Sequence, residues 1–317
     1  VAVAGLLGVV SAPAGAVEGP TVAGPIGGTD IRSAILPQPG LYGGAVFLGA
    51  ATIDFLDRDG NVTPALKDAR LHKELAAPFL YYVSDVKVLG GSVGFGGIIP
   101  MGNQCGHLFV GQSSRCTQGV GDPYVEVDWS RYFGTPRPSK YPGAYPILQG
   151  LNLLIGFGTV IPSGQYDPVD DLDRVLSIGT NIWDFAPTVA VTYTTKPILA
   201  EGTEFSAKFY YNIYLENPDT HHRTGELINI DFAVSEHIGR FQVGVAGFYA
   251  TQVADDEFFG VSIPPDGERA ETLQLGPVVG YDMPAHATSM KVKAVTSAFA
   301  INTVTSWTVV FSLLKKF

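Results

Sequence analysis

The feature that most constrains this chain is a two-residue rhythm that returns along most of its length. Between residues 205 and 216, Phe205, Ala207, Phe209, Tyr211, Ile213 and Leu215 hold one parity, and Ser206, Lys208, Tyr210, Asn212, Tyr214 and Glu216 hold the other. Successive side chains of a strand point to opposite faces, so this segment reads as a strand with one apolar and one polar side. Similar stretches fall at 41–55, 71–83, 87–99, 124–132, 148–161, 181–194, 228–235, 241–251, 271–282, 289–297 and 305–317. The total is about twelve, most of them near the ~9–11 residues that a tilted strand needs to cross a bilayer. Helical periodicity is nearly absent.

Composition narrows the choice. The 317 residues carry 20 Lys plus Arg against 30 Asp plus Glu, a formal charge of −10, with no basic cluster, which argues against a nucleic-acid partner. Only 16% of residues are charged, 38 are Gly and 11% are aromatic, with a mean hydropathy of +0.19. Beyond the N-terminus no apolar run reaches the roughly 20 residues of a membrane helix. Apolar content spread over alternate positions fits a membrane β-barrel, and a large soluble β-protein is the alternative. Residues 1–16, an apolar run ending in small residues, read as a signal peptide without its charged n-region. Export suits Cys105 and Cys116, which are expected to form one disulfide closing a small loop; a metal site would need more ligands than His107. Residues 17–40, rich in Gly and Pro, are either a periplasmic tail or an extended segment tucked into a barrel lumen.

Alternation alone does not say which face points inward. About eight strands give an interior that side chains or one ligand fill, as in lipocalin-like barrels; twelve leave a wider lumen suited to polar lining. The expectation is therefore an all-β fold, a twelve-stranded antiparallel transmembrane β-barrel of the outer-membrane type over residues 41–317. Its links alternate in length. Long ones are expected at 101–121, 162–174 and 254–270 and short ones at Ser84-Asp85 and 236–239, while 134–145 and 300–303 break the pattern. The polar parity then nominates Glu126, Asp128, Asp184, Lys208, Tyr210, Asn212, Tyr214, Asn229, Asp231, Lys291 and Lys293 as pore-lining. On the lipid face, Lys or Arg near mid-bilayer would cost ~2–4 kcal/mol. Trp307 and Phe311 are expected to face lipid, with Ser306 and Thr308 facing the pore.

Catalytic and metal patterns are weak. His221-His222 with Asp219 reads as an exposed loop tip before it reads as a hydrolase dyad or metal site, and no GxSxG, HExxH or P-loop occurs. The acidic runs Asp167, Asp170, Asp171, Asp173 and Asp255-Asp256-Glu257 read as solvated loops before loose cation sites. No cofactor and no catalytic or metal residue is assigned.

Several segments resemble the outer-membrane family known as the putative MetA-pathway of phenol degradation proteins. They are ILPQPGLY (35–42), YVSDVKVLGGSVGFGGIIP (82–100), GVGDPYVE (119–126), GFGTVIPSGQYDP (156–168), SIGTNIWDFAPTVAVTYT (177–194) and EFSAKFYYNIYLENPDT (204–220). The resemblance covers most of residues 17–317 and implies a monomeric twelve-stranded outer-membrane channel for small molecules rather than a catabolic enzyme; the Cys105/Cys116 pair is not part of the family pattern. The expected function is passive uptake of small hydrophobic or aromatic solutes, with outer-membrane lipids as surroundings. The alternatives are an outer-membrane hydrolase and a structural or adhesion barrel. Phe317, at the end of the last strand, resembles the signal read by the outer-membrane insertion machinery.

Overall fold

The computed structural model describes residues 26–265 and 267–317. The signal-peptide expectation for residues 1–16 and the first part of segment 17–40 lie outside the described residues. Twelve strands form the wall: β1 Gly40–Phe55, β2 Arg70–Val88, β3 in two segments (Gly91–Ile98 and Met101–His107), β4 in two segments (Arg115–Val120 and Tyr124–Arg137), β5 Ile147–Val160 and β6 Asp184–Thr194. The wall continues with β7 Thr203–Tyr214, β8 Leu227–Ile238, β9 Phe241–Gln252, β10 Glu271–Met283, β11 Thr288–Ile301 and β12 Val304–Lys316. Each pairs antiparallel with its neighbours in the chain, and β1 pairs with both β2 and β12, so the sheet closes. At the closing seam Phe47 lies opposite Phe311 and Ala51 opposite Trp307, and the two Phe rings stack at 6.1 Å. Closure leaves no open edge whose backbone groups would sit unpaired in hydrocarbon.

The outward parity is apolar and exposed, with Phe47, Ile155, Phe205, Val245 and Trp307 among its members. On β12, Trp307 is 49% exposed while Ser306 is 8% exposed, and Ser306 accepts a hydrogen bond from Gln274 inside the barrel. β2 departs from this rule. Its more apolar parity faces inward: Leu71, Ala77 and Val83 are buried, while His72, Glu74, Leu80 and Tyr82 face out. The interior of the barrel accounts for the inversion, because Leu71 joins an apolar cap and Tyr81 reaches an inward carboxylate.

Two expected links are corrected. The chain does not turn at Ser84-Asp85: β2 continues to Val88, with an irregularity between Val83 and Lys87, and turns at Leu89-Gly90. Both turn residues have positive φ (50° and 77°), the conformation that two-residue hairpins require and that Gly adopts without strain. Residues 101–121 are not a loop either. Met101–His107 and Arg115–Val120 pair as a hairpin, with the Cys105–Cys116 disulfide between directly opposed residues. The long link expected at 134–145 is found at 138–146, and the short one expected at 300–303 is found at 302–303, because the strands before them run on to Arg137 and Ile301.

The rim with the longer links, here the outer rim, carries the one helix of more than a turn among the described residues, α1 Asp171–Leu176, its N-terminus capped by the Asp170 carboxylate. Leu172, Val175 and Leu176 from α1 pack with Phe55, Leu66, Ala69, Leu71 and Leu108 as a cap beside the hairpin. Gln104 donates to Val175 O at 2.6 Å, and Arg115 binds Asp170 and Asp173. No helix among the described residues is long and apolar enough to cross a membrane.

Candidate functional site

The barrel interior is where inward side chains of all strands converge, and residues 26–38 run through it. Small wall residues give this segment room: Ile31 packs on Ala233, Ala246 and Val278, and Ala34 and Leu36 pack with Leu154 and Ala190. At Gly280 any Cβ would come within 3.0 Å of Ile31 Cδ1, so a larger residue there would press on the segment.

Polar ties fix its path. Asp231 accepts from Gly27 N (2.8 Å), Thr29 N (2.8 Å) and Thr29 Oγ1 (2.9 Å). Lys293 donates to Gly27 O at 2.6 Å and lies 3.0 Å from Asp30, whose other oxygen is 2.6 Å from Lys291. Arg32 grips Asp282 with two bonds of 3.1 and 2.7 Å, and its backbone amide donates to Glu204, which is 3.1 Å from His237. Ala34 N donates to Thr192 Oγ1 and Ala34 O accepts from Ser130 Oγ. A buried charge is tolerable when it is paired and hydrogen-bonded, and these are.

A second group of contacts crosses the lumen between β2, β4 and β7. Tyr81 donates to Asp128 at 2.7 Å, and Lys208 and Tyr124 each reach Glu126 Oε2 at 3.2 Å. Lys208 also sits 5.0 Å above the Tyr210 ring, and the Tyr210 hydroxyl meets Thr29 Oγ1 at 3.3 Å. Toward the outer rim the character changes to an apolar cluster of Tyr124, Val160, Ile182, Tyr214, Leu227 and Ala250, with Ile26, Ile98 and Phe248 packed against it. Asp184 stands opposite Tyr214 at this level.

All eleven residues nominated from the sequence lie on the inward parity. Asp128, Asp184, Lys208, Tyr210, Asn212, Tyr214, Asn229, Asp231 and Lys293 are buried, and Glu126 and Lys291 half-buried. Lys208, Tyr210, Glu126 and Asp128 form one group; Asp231, Asn229, Lys291 and Lys293 gather on residues 27–30; Asp184, Asn212 and Tyr214 lie nearer the outer rim. Their nomination missed Asp30, Arg32, Tyr81, Tyr124, Glu204 and Asp282. Tyr124, Glu204 and Asp282 share the polar parity and were within reach of the same argument; Tyr81 was hidden by the inversion of β2, and residues 30 and 32 carry no periodic signal.

At the opposite, inner rim, buried Glu201 ties three turns together. Its carboxylate accepts from Ser139 Oγ, Lys140 N and Gly239 N. Burial pushes this carboxyl up, but those donors and Arg137 outweigh it and hold it below the usual range.

The loop motifs resolve into structural roles. His221 is exposed, stacked on Phe259 and 2.8 Å from Glu216, whereas His222 is buried with Nε2 3.5 Å from Asp256. Asp219 instead accepts from Asn181. Asp170 and Asp173 pair with Arg115, Asp171 with Arg174, Asp255 with Arg269 and Glu257 with Arg223. Among the described residues no group of three or more His, Cys, Asp or Glu is arranged to hold a metal ion.

Comparison with solved structures gives the fold a close parallel. The COG4313 outer membrane channel from Pseudomonas putida F1 superposes with a TM-score of 0.73 at 13% identity, over 91% of this chain and 100% of that one. The β domain of the Bordetella autotransporter BrkA (TM-score 0.47, 10% identity, 88% of this chain and 100% of that one) is more distant. So is a TodX monoaromatic hydrocarbon channel mutant (TM-score 0.41, 9% identity, 89% and 91%). Among curated proteins none matches. The closed twelve-stranded wall, its apolar outward band and this parallel identify a β-barrel of the outer-membrane type. The family model described as "Putative MetA-pathway of phenol degradation" matches residues 53–294, and the chain belongs to that family.

Proposed function

We propose that this barrel is a channel, a passive route for small apolar or aromatic solutes across the outer membrane, working without catalysis or cofactor. The observation that carries this reading is how the lumen spends its charges. Most inward ions are matched by one another or by residues 27–34, and toward the outer rim the inward side chains include a cluster of tyrosine and aliphatic residues. A wide aqueous pore would instead leave its charges facing water. The eleven inward residues named above, from Glu126 to Lys293, are proposed as the lining of the route. Tyr210 and Tyr214 offer flat amphipathic surfaces that suit an aromatic ring. In this reading mixed charge gives little selection by ion sign, and ionic current is small.

The test is uptake of a labelled monoaromatic compound by cells whose outer membrane is intact, with and without the protein, alongside conductance of the purified chain in planar bilayers. Faster uptake of the aromatic together with weak ionic conductance is the expected pair. Equal uptake in both strains would sink the reading. Large, steady conductance with no aromatic uptake would replace it with a general hydrophilic pore.

A further inference from the structure

The lumen is not filled evenly. Among the described residues, every hydrogen bond and ion pair that residues 26–36 make to the wall reaches β4 or a strand from β6 to β11. Wall burial follows that path. On β6, β7 and β8 every inward residue is buried, from Asp184 to Thr194, Glu204 to Tyr214 and Leu227 to His237. Across the barrel, the inward residues Leu48, Ala50, Leu75, Thr308, Val310 and Ser312 are only half-buried. They adjoin in register: Thr308 lies beside Ala50, and Leu48 lies between Val310 and Leu75. Side chains that face inward and still keep open surface mark where space remains, which is along β12, β1 and β2. No carboxylate belongs to the inward parity of that side between Tyr42 and Thr52, Leu71 and Val83, or Ser306 and Lys316, in a chain whose formal charge is −10. Two lysines do. Lys316 sits at the inner rim, 5.7 Å above the Tyr42 ring. Lys73, half-buried beside Ala50, makes no hydrogen bond or ion pair among the described residues. Gln104, opposite it on β3, is turned to Val175 O instead. The lumen lysines 208, 291 and 293 each have a carboxylate, so Lys73 is the exception.

We propose that the open side of the lumen, along β12, β1 and β2, takes small solutes with an apolar body and a single anionic head, and that Lys73 meets the head. This rests on the channel reading above and narrows it to a class of solute. An ammonium in partly dry surroundings lacks much of its hydration, and a carboxylate or sulfonate supplies the missing counter-charge together with a charge-assisted hydrogen bond. Leu48, Leu75 and Val310 stand beside or one row below Lys73 and offer the body an aliphatic surface. Thr308 and Ser312 add hydroxyls and no charge. A cationic solute would meet Lys73 with no carboxylate on that side to offset the repulsion. A neutral one would gain the apolar contact alone.

The experiment reconstitutes the full chain in liposomes and follows influx of benzenesulfonate and of phenyltrimethylammonium, permanently charged rings that a bilayer holds back. Methanesulfonate keeps the anionic head and lacks the ring. Benzenesulfonate should reach half-maximal influx at a lower concentration than either of the others. Lys73→Met should raise that concentration about ten- to a hundredfold, the worth of a hydrogen bond to a charged group, while Lys73→Arg should keep most of the parent's preference. Thr308→Cys should react with a charged thiol reagent added in solution, and Thr188→Cys, on the filled side, should not. Equal reaction at the two positions would place the open space elsewhere and overturn the proposal. Lys73→Met should also unfold at or above the parent's midpoint, since no ion pair is lost. A fall as large as that of Lys293→Ala, which strands Asp30, would make Lys73 structural and overturn the proposal too. Equal influx of anion and cation, or anion influx indifferent to Lys73→Met, overturns it and leaves the channel reading standing. Lys73-dependent binding of benzenesulfonate in detergent, without protein-dependent influx of any solute, would keep the anion site and remove the channel reading.

Discussion

The two ends of this barrel are held by different physics. From the inner rim to mid-lumen, the ties are buried ions and hydrogen bonds: Asp30 between Lys291 and Lys293, Arg32 on Asp282, Glu204 on His237, and Glu201 under three turns. At the outer rim the ties are an apolar cap, a disulfide, and the exposed pairs of Arg115 with Asp170 and Asp173. Buried ion pairs are costly to break singly, because each loss strands a charge in a poorly solvated place. Apolar caps and exposed pairs loosen by degrees. The difference assigns rigidity to one end and adaptability to the other, where a solute would first meet the chain.

The largest effect should come from breaking the rigid end. Lys293→Ala leaves Asp30 with one cation and removes the bond to Gly27 O, in a place where the Lys side chain is 3% exposed and Asp30 fully enclosed. Loss of one partner of such a pair costs about 3–5 kcal/mol, read as a fall in the midpoint of thermal unfolding in detergent. Ionic conductance should rise as well, since residues 27–30 lose an anchor. An unchanged midpoint with unchanged conductance would show that Lys291 alone holds Asp30, and the contrast between the two ends would weaken.

At the adaptable end, replacing Cys105 and Cys116 by Ser opens a loop of eleven residues' separation. The chain-entropy argument sets the stabilisation lost at about 3 kcal/mol, if the hairpin and barrel unfold as one unit. The different build of the two ends predicts that they do not. Hydrogen exchange should quicken in Met101–His107 and Arg115–Val120 while the closing strands β1 and β12 stay protected. Uniform loss of protection around the barrel would show that the cap is not a separate element.

Much of the wall was legible in the sequence, for a physical reason. A membrane barrel imposes one solvent on each face, so alternation survives in β5 to β8 almost without exception, as in Phe205, Phe209 and Tyr211 against Lys208, Tyr210 and Asn212. Reading failed where that condition lapses. β2 faces an apolar cap inside the barrel, so its parity inverts, and the 101–120 hairpin, with Gly, Asn, Gln and Ser on both parities, shows no two-solvent signature. The ties to residues 27–34 join positions about 100 to 270 apart in sequence, and no local pattern announces them. Asp184 was legible as inward; that it alone among the buried Asp and Glu of the described residues has no hydrogen bond to either carboxyl oxygen is a fact of three-dimensional packing.

Acid should affect the inner rim in one direction. The Glu201 carboxyl is held below its ordinary range in the folded chain, so its contribution is present above the unfolded value, roughly pH 4.3, and is lost as pH falls through the lower folded value. Thermal unfolding of the parent should therefore weaken below about pH 4. A Glu201→Gln chain, less stable at neutral pH, should lose less over the same window. Parallel curves for the two would mean that the three turns do not depend on this charge.

The smallest effect belongs to the exposed ion pairs of the cap. Arg115, first through its hydrogen bond to Asp170, lowers the Asp170 carboxyl from its usual range, and the helix amide of Asp173 assists. Both partners are well exposed, at 40% and 48% of the side-chain surface, so solvent screens the attraction and salt screens it further. Raising ionic strength from ~0.01 M to ~1 M shortens the screening length from about 30 Å to about 3 Å. Over that range exchange in α1 should quicken slightly, while Asp30, Lys291 and Lys293, out of reach of mobile ions, keep residues 27–30 as protected as before. Arg115→Gln should remove the salt response of α1 without touching the lumen. Salt sensitivity of equal size at both ends would contradict the division, since it would place mobile ions among the buried pairs and make the lumen a wet pore.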